Sequence, residues 1–140
     1  DRSLRWLPWL GILAAVFLVL YGTFLGTDGD TYRWLRRYGT IVYFGFTYVC
    51  VLIATSHVWH LARSSALAVP ARADVMLMIL AGLTMLIAIA YVFVAPMLEE
   101  RLKERVENVV EWSIGLSFTL FFLGLAWLWW HARLSMRLQN

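Results

Sequence analysis

Three histidines are the side chains best suited to chemistry in this 140-residue chain. His57 and His60 lie in the segment ATSHVWHLAR, and His131 lies in LWWHARL. Imidazole is a common axial ligand of iron, so two helices that each present one histidine could hold a haem b between them. The alternative is that all three are ordinary interfacial residues at the ends of helices. No second histidine pair lies on the opposite side to complete a haem relay across a membrane, which favours this alternative.

Other arrangements that carry catalysis are missing from the sequence. Cys50 is the single cysteine and lies within an apolar run, which excludes an internal disulfide or a CxxC pair and favours an inert packing role. The chain has no glycine-rich phosphate loop, no paired catalytic carboxylates and no HExxH motif. We therefore expect no catalytic activity of its own, no metal site apart from the possible haem, and no nucleic-acid partner.

Four apolar segments must position the histidines, at residues 6–25, 40–61, 75–98 and 112–130. Each is close to the ~20 residues that a helix needs to cross a ~30 Å hydrocarbon core. All twelve Lys and Arg residues and all nine Asp and Glu residues fall outside these segments, in a chain that is 61% hydrophobic. The sequence predicts four transmembrane helices, because a soluble bundle would keep a polar face on each helix.

The predicted fold is an all-α integral membrane protein, with residues 1–140 forming a single four-helix domain. The loops between the helices are short, so neighbouring helices should run antiparallel in an up-down bundle. Both termini and the middle loop would then share one side of the bilayer, which we call the terminal face. The first and third loops would share the other side.

The sequence indicates the orientation of the chain in the bilayer, and the membrane in which it lies, less strongly than it indicates the fold. The twelve basic residues divide evenly between the two faces, so the positive-inside rule does not choose between them. Seven of the nine acidic residues lie on the face opposite the termini, which favours cytoplasmic termini. We expect an integral protein of the bacterial inner membrane.

Small residues recur on three of the four segments, and small residues allow membrane helices to approach closely. The third segment carries Ala81, Ala88 and Ala95 at intervals of seven. The remaining predicted helix-packing positions are Gly11, Ala15, Gly22, Gly26, Gly115 and Gly124. These positions could pack inside the bundle or against another subunit. Pro96 is expected to end or bend the third helix.

The polar loop LEERLKERVENVVE, residues 98–111, has the pattern of a short amphipathic helix. Leu98, Leu102, Val106 and Val109 recur at helical spacing, and Glu99 precedes Lys103 by four residues. We expect an interfacial helix between the third and fourth spans, or a solvated extension of the third helix. The functional alternative is a contact surface for a partner protein.

Intramembrane charge marks most pumps, carriers and channels, and this chain has none. The sequence instead favours an accessory or structural subunit of a larger inner-membrane complex of respiratory, photosynthetic or transport type. Its partners would be other integral membrane subunits and the lipid bilayer. The alternatives are a small electron-transfer subunit associated with haem b or quinone, and the membrane module of an uptake system.

Overall fold

A computed structural model describes residues 2–24, 26, 29–63 and 72–138. Four α-helices account for most of them: α1 (Arg2–Thr23), α2 (Asp30–Arg63), α3 (Ala73–Val94) and α4 (Glu100–Leu138). A 3-10 turn, Ala95–Met97, separates α3 from α4. The prediction of an all-helical chain with four helices long and apolar enough to cross a membrane is confirmed. The chain divides into two compact units, Asp1–Ala54 and Thr55–Asn140.

Within the first unit, α1 and α2 pack closely at Gly39. A Cβ atom added to this glycine would lie 3.4 Å from the carbonyl oxygen of Phe17 and 3.4 Å from the Cβ of Tyr21. The turn that precedes α2 contains Gly26 and Gly29 at φ values of 85° and 134°, in the left-handed region that glycine adopts without strain. Residues 30–39 were predicted as loop, and they instead form the first turns of α2.

Within the second unit, α3 and α4 pack along each other. Because a short turn joins them, the two helices run antiparallel. The buried residues of α3 are Ala73, Leu77, Ala81 and Thr84, which fall on one helix face. Among the described side chains of α4, the buried ones are Ile114, Ser117, Phe118, Phe121, Leu128 and Ala132, and most of them follow a spacing of three and four. This pattern is typical of two helices that share one apolar seam.

The polar segment before the fourth span is helical, as predicted, but it is not a separate helix or an extension of α3. It forms the beginning of α4, because Pro96 lies in the 3-10 turn and Leu98 adopts an extended conformation that ends the preceding helix. The expected role of Pro96 is therefore confirmed. Lys103 pairs with Glu100, at 3.7 Å between Nζ and Oε1.

Candidate functional site

The three histidines all lie in the second unit, near the ends of α2 and α4. His57 is half-buried, whereas His60 and His131 are exposed. The ring of His60 makes an edge contact with Trp59, at 5.2 Å between centroids, and the guanidinium of Arg63 lies 4.0 Å above that same indole. These contacts surround Trp59 with two polar groups, an arrangement typical of the end of a membrane helix.

His131 has a defined orientation on α4. Its Nδ1 lies 3.2 Å from the carbonyl oxygen of Trp127, and its ring centroid lies 4.4 Å from that of the same tryptophan. If Nδ1 carries the proton and donates to this carbonyl, Nε2 is left as the nitrogen with a free lone pair. Histidine ligands of metals usually have their second nitrogen held in this way.

Metal binding by a larger set of side chains finds no support in the described ranges. Within residues 2–24, 26, 29–63 and 72–138, no group of three or more His, Cys, Asp and Glu side chains could hold a metal ion. His57, His60 and His131 therefore do not form a three-ligand centre. Axial ligation of a haem by two of them stays a prediction.

Two buried hydroxyl groups of the second unit form hydrogen bonds within their own helices. The hydroxyl of Thr84 donates to the carbonyl of Leu80 at 2.8 Å, and that of Ser117 donates to Ser113 at 2.9 Å. Throughout the part of the chain that the structure describes, no buried side-chain nitrogen or oxygen lacks a hydrogen-bond partner. Cys50 is buried and free. The described interior thus offers no polar group directed at a ligand.

The predicted helix-packing residues divide into buried and exposed sets. Ala81 is buried and Ala88 is half-buried, on the face of α3 that contains Leu77. Ala95 is also half-buried, but it lies in the 3-10 turn that follows α3. Gly124 lies against α3, because an added Cβ would be 3.0 Å from Cε of Met76 and 3.3 Å from Cδ2 of Leu77.

The residues of α1 and the following turn that were predicted as helix-packing positions are all exposed: Gly11, Ala15, Gly22 and Gly26. An added Cβ at any of the three glycines would have no neighbouring atom within 4 Å. Gly115 is half-buried and has equally open space around it. We call Gly11, Ala15 and Gly22 the α1 stripe.

A groove of about 720 Å³ runs between α3 and α4 and was not anticipated from the sequence. Its walls are Val75, Met76, Ile79 and Leu80 of α3 with Leu120 and Leu123 of α4. Arg72 and Trp127 also line it, and Gly124 contributes to its surface. No periodicity could have predicted the groove, because it arises from the shapes of side chains that flank the seam.

No protein-family model, no curated protein and no solved structure matches this chain. The function of the protein is therefore inferred from its own residues and their contacts.

Proposed function

We propose that this chain is an integral membrane protein and serves as an accessory or structural subunit of a larger complex in the bacterial inner membrane. Its four helices would cross the bilayer in an up-down arrangement. Large apolar side chains are exposed on every helix, among them Val19 on α1, Ile41 on α2, Phe93 on α3 and Leu123 on α4. Such continuous apolar surface is unfavourable in water and favourable in lipid.

The exposed α1 stripe is the observation that carries the subunit role. Gly11, Ala15 and Gly22 lie on one helix face, at spacings of four and seven residues, and all three are exposed. Small residues bring two helix backbones close together in a membrane, where apolar burial contributes little to helix association. A stripe with no neighbour around its glycines is suited to a helix from another subunit.

Purification from native membranes in a mild detergent tests this proposal. We expect the chain to migrate with larger partners in native electrophoresis, and the double variant Gly11→Leu, Gly22→Leu to release them, because leucine holds the helix backbones apart. The matched control is Val16→Leu, which enlarges an exposed side chain on the same helix outside the stripe.

A wild-type chain that runs as a monodisperse monomer would oppose the subunit role. So would a complex that survives the double variant as well as it survives the control. Retention in the membrane after alkaline carbonate extraction tests insertion separately.

A second candidate is a haem-binding electron-transfer subunit. The carbonyl of Trp127, 3.2 Å from Nδ1 of His131, could fix the ring so that Nε2 is presented to iron. A partner histidine from α2, His57 or His60, would complete the axial pair. This candidate ranks second because His131 and His60 are both exposed, whereas haem in a helical bundle is usually held between facing helices.

A further inference from the structure

We propose that the groove between α3 and α4 binds a phospholipid, with an acyl chain lying between the two helices and the phosphate held by Arg72. This inference rests on the proposed insertion into a membrane and does not depend on the subunit role. All of the residues that define the groove belong to the second unit, Thr55–Asn140.

The groove has the dimensions and composition of an alkyl-chain site. Its volume of about 720 Å³ falls within the ~300–1,000 Å³ of typical ligand pockets. Along α3 it extends from Arg72 to Leu80, which corresponds to about 12 Å of helix rise. Its walls are formed mainly by long aliphatic and thioether side chains, and methionine adapts its shape readily to a flexible ligand.

Charge occurs at only one end of the groove. Among the described residues, Arg72 is the single charged one that lines it, and Asp74, two positions later, is not part of the lining. Arg72 immediately precedes α3, and no side chain caps that helix end. The helix dipole therefore adds to the attraction that the guanidinium exerts on an anion. A chain-shaped apolar trough with a cation at its interfacial end is complementary to a phospholipid.

Trp127 lines the same groove and lies near the end of the fourth apolar span. Indole rings favour the depth at which headgroup and acyl chain meet. Arg72 and Trp127 together thus place the polar end of the ligand at the interface and its chain within the hydrocarbon.

A helix from a partner protein fits this groove less well. Helices that associate in lipid need small residues to approach closely. Gly124 is the only small residue among the described residues of the lining, and Met76 and Leu77 already lie against it. The long side chains that form the walls would therefore hold a helix backbone at a distance.

The test is native mass spectrometry of the full chain in detergent, with phosphatidylglycerol or diacylglycerol of the same acyl chains added. We expect a three- to tenfold preference for phosphatidylglycerol, which is less than a buried charge-assisted hydrogen bond contributes, because Arg72 is exposed and solvent screens its interaction with the phosphate. Arg72→Gln should abolish the preference, whereas Arg101→Gln, at an exposed arginine of α4, should leave it intact. Glycerol 3-phosphate should not displace the bound lipid, because it lacks the chain.

Filling the groove tests the position of the acyl chain. Ile79→Trp should lower the binding of both lipids severalfold, and Leu86→Trp is its control, since both side chains are 63% exposed on α3 and only Ile79 lines the groove. Leu123→Trp repeats the test from α4 if the first variant does not fold.

Several outcomes would overturn the proposal: no bound lipid, equal lipid binding by Ile79→Trp and Leu86→Trp, an unchanged preference in Arg72→Gln, or displacement by glycerol 3-phosphate. If a groove-filling variant loses a co-purifying protein but keeps its bound lipid, the groove would be assigned to a partner helix instead. Release of the chain by carbonate would refute membrane insertion itself. Retention in the membrane without bound lipid would refute only the lipid site.

Discussion

Gly39 fixes how closely α1 and α2 approach within the first unit. An added Cβ would lie 3.4 Å from a backbone oxygen and from a Cβ atom, neither of which is the flexible end of a side chain. A Cβ atom would thus already be in van der Waals contact with α1, so the further atoms of a larger side chain must push the two helices apart. The close contact explains why a glycine is accommodated here despite its low helix propensity.

We predict that Gly39→Leu destabilises the protein by about 1–3 kcal/mol, the usual cost of overpacking a close contact. The control is Gly45→Leu on the same helix, where an added Cβ has no neighbour within 4 Å. Both substitutions gain the same helix propensity, so the comparison isolates packing. Thermal unfolding in detergent measures the difference, and equal melting temperatures would contradict the contact at Gly39.

The histidines provide a second prediction at this scale. We expect the purified protein to show no b-type reduced-minus-oxidised spectrum, because contacts with Trp59 and Trp127 account for His60 and His131 as interfacial residues. His131→Ala, alone or with His57→Ala or His60→Ala, should then leave the fold nearly unchanged. A b-type spectrum that His131→Ala abolishes would establish the electron-transfer alternative.

At the scale of the elements, Ala81 and Ala88 of α3 lie on the helix face that meets α4. Counting along the antiparallel pair from the contact between Leu77 and Gly124 places Thr84 level with Ser117 and Ala88 level with Ser113. Small side chains therefore oppose one another across this part of the seam. Their hydroxyl groups bond within their own helices, so close approach leaves no polar group unsatisfied.

Ala88→Leu should weaken the packing of α3 against α4 by about 1–3 kcal/mol, because the added atoms separate the helix backbones. Val92→Leu is the control, since Val92 is 66% exposed and lies outside the stripe of Ala81, Ala88 and Ala95. The measurement is the thermal midpoint of unfolding in detergent. Equal tolerance of the two changes would indicate that Ala88 faces lipid.

Hydropathy predicted the four helices because a long uncharged apolar run in a chain of this composition has few other stable conformations. It placed the start of α2 ten residues too late, since Arg33, Arg36 and Arg37 interrupt the apolar run without interrupting the helix. Lysine, arginine and glutamate are good helix formers, so the polar segment before the fourth span also joins α4. Hydropathy locates apolar surface, whereas helix ends depend on turn residues such as Gly29 and Pro96.

The candidate sites were predictable to different degrees. The spacing of Ala81, Ala88 and Ala95 identified one helix face, and α4 is the neighbour that this face meets. The α1 stripe was identified by spacing too, but its exposure depends on where the neighbouring helices lie. The groove beside Arg72 could not be inferred, because its shape depends on the rotamers of residues such as Met76 and Ile79.

At the scale of the whole molecule, α2 and α4 are much longer than the hydrocarbon core of a bilayer is thick. The 34 residues of α2 and the 39 residues of α4 correspond to about 51 Å and 58 Å, against ~30 Å of hydrocarbon. The part of each helix that exceeds this thickness includes a charged N-terminal segment, residues 30–37 of α2 and 100–111 of α4. In the proposed topology, both charged N-terminal segments lie outside the membrane, on the side opposite the termini. This side would then present helical, charged surface to water or to a partner.

Cysteine labelling tests that arrangement, and the single native cysteine makes it practical because Cys50 is only 8% exposed. Asp30→Cys and Glu104→Cys should react with a membrane-impermeant maleimide from the same side, since two helix crossings separate them. Arg63→Cys should react only from the other side. With cytoplasmic termini, the first two would be labelled in intact cells and the third only after permeabilisation. Labelling of Asp30→Cys and Glu104→Cys from opposite sides would contradict the up-down arrangement, and a reversed pattern would reverse only the orientation.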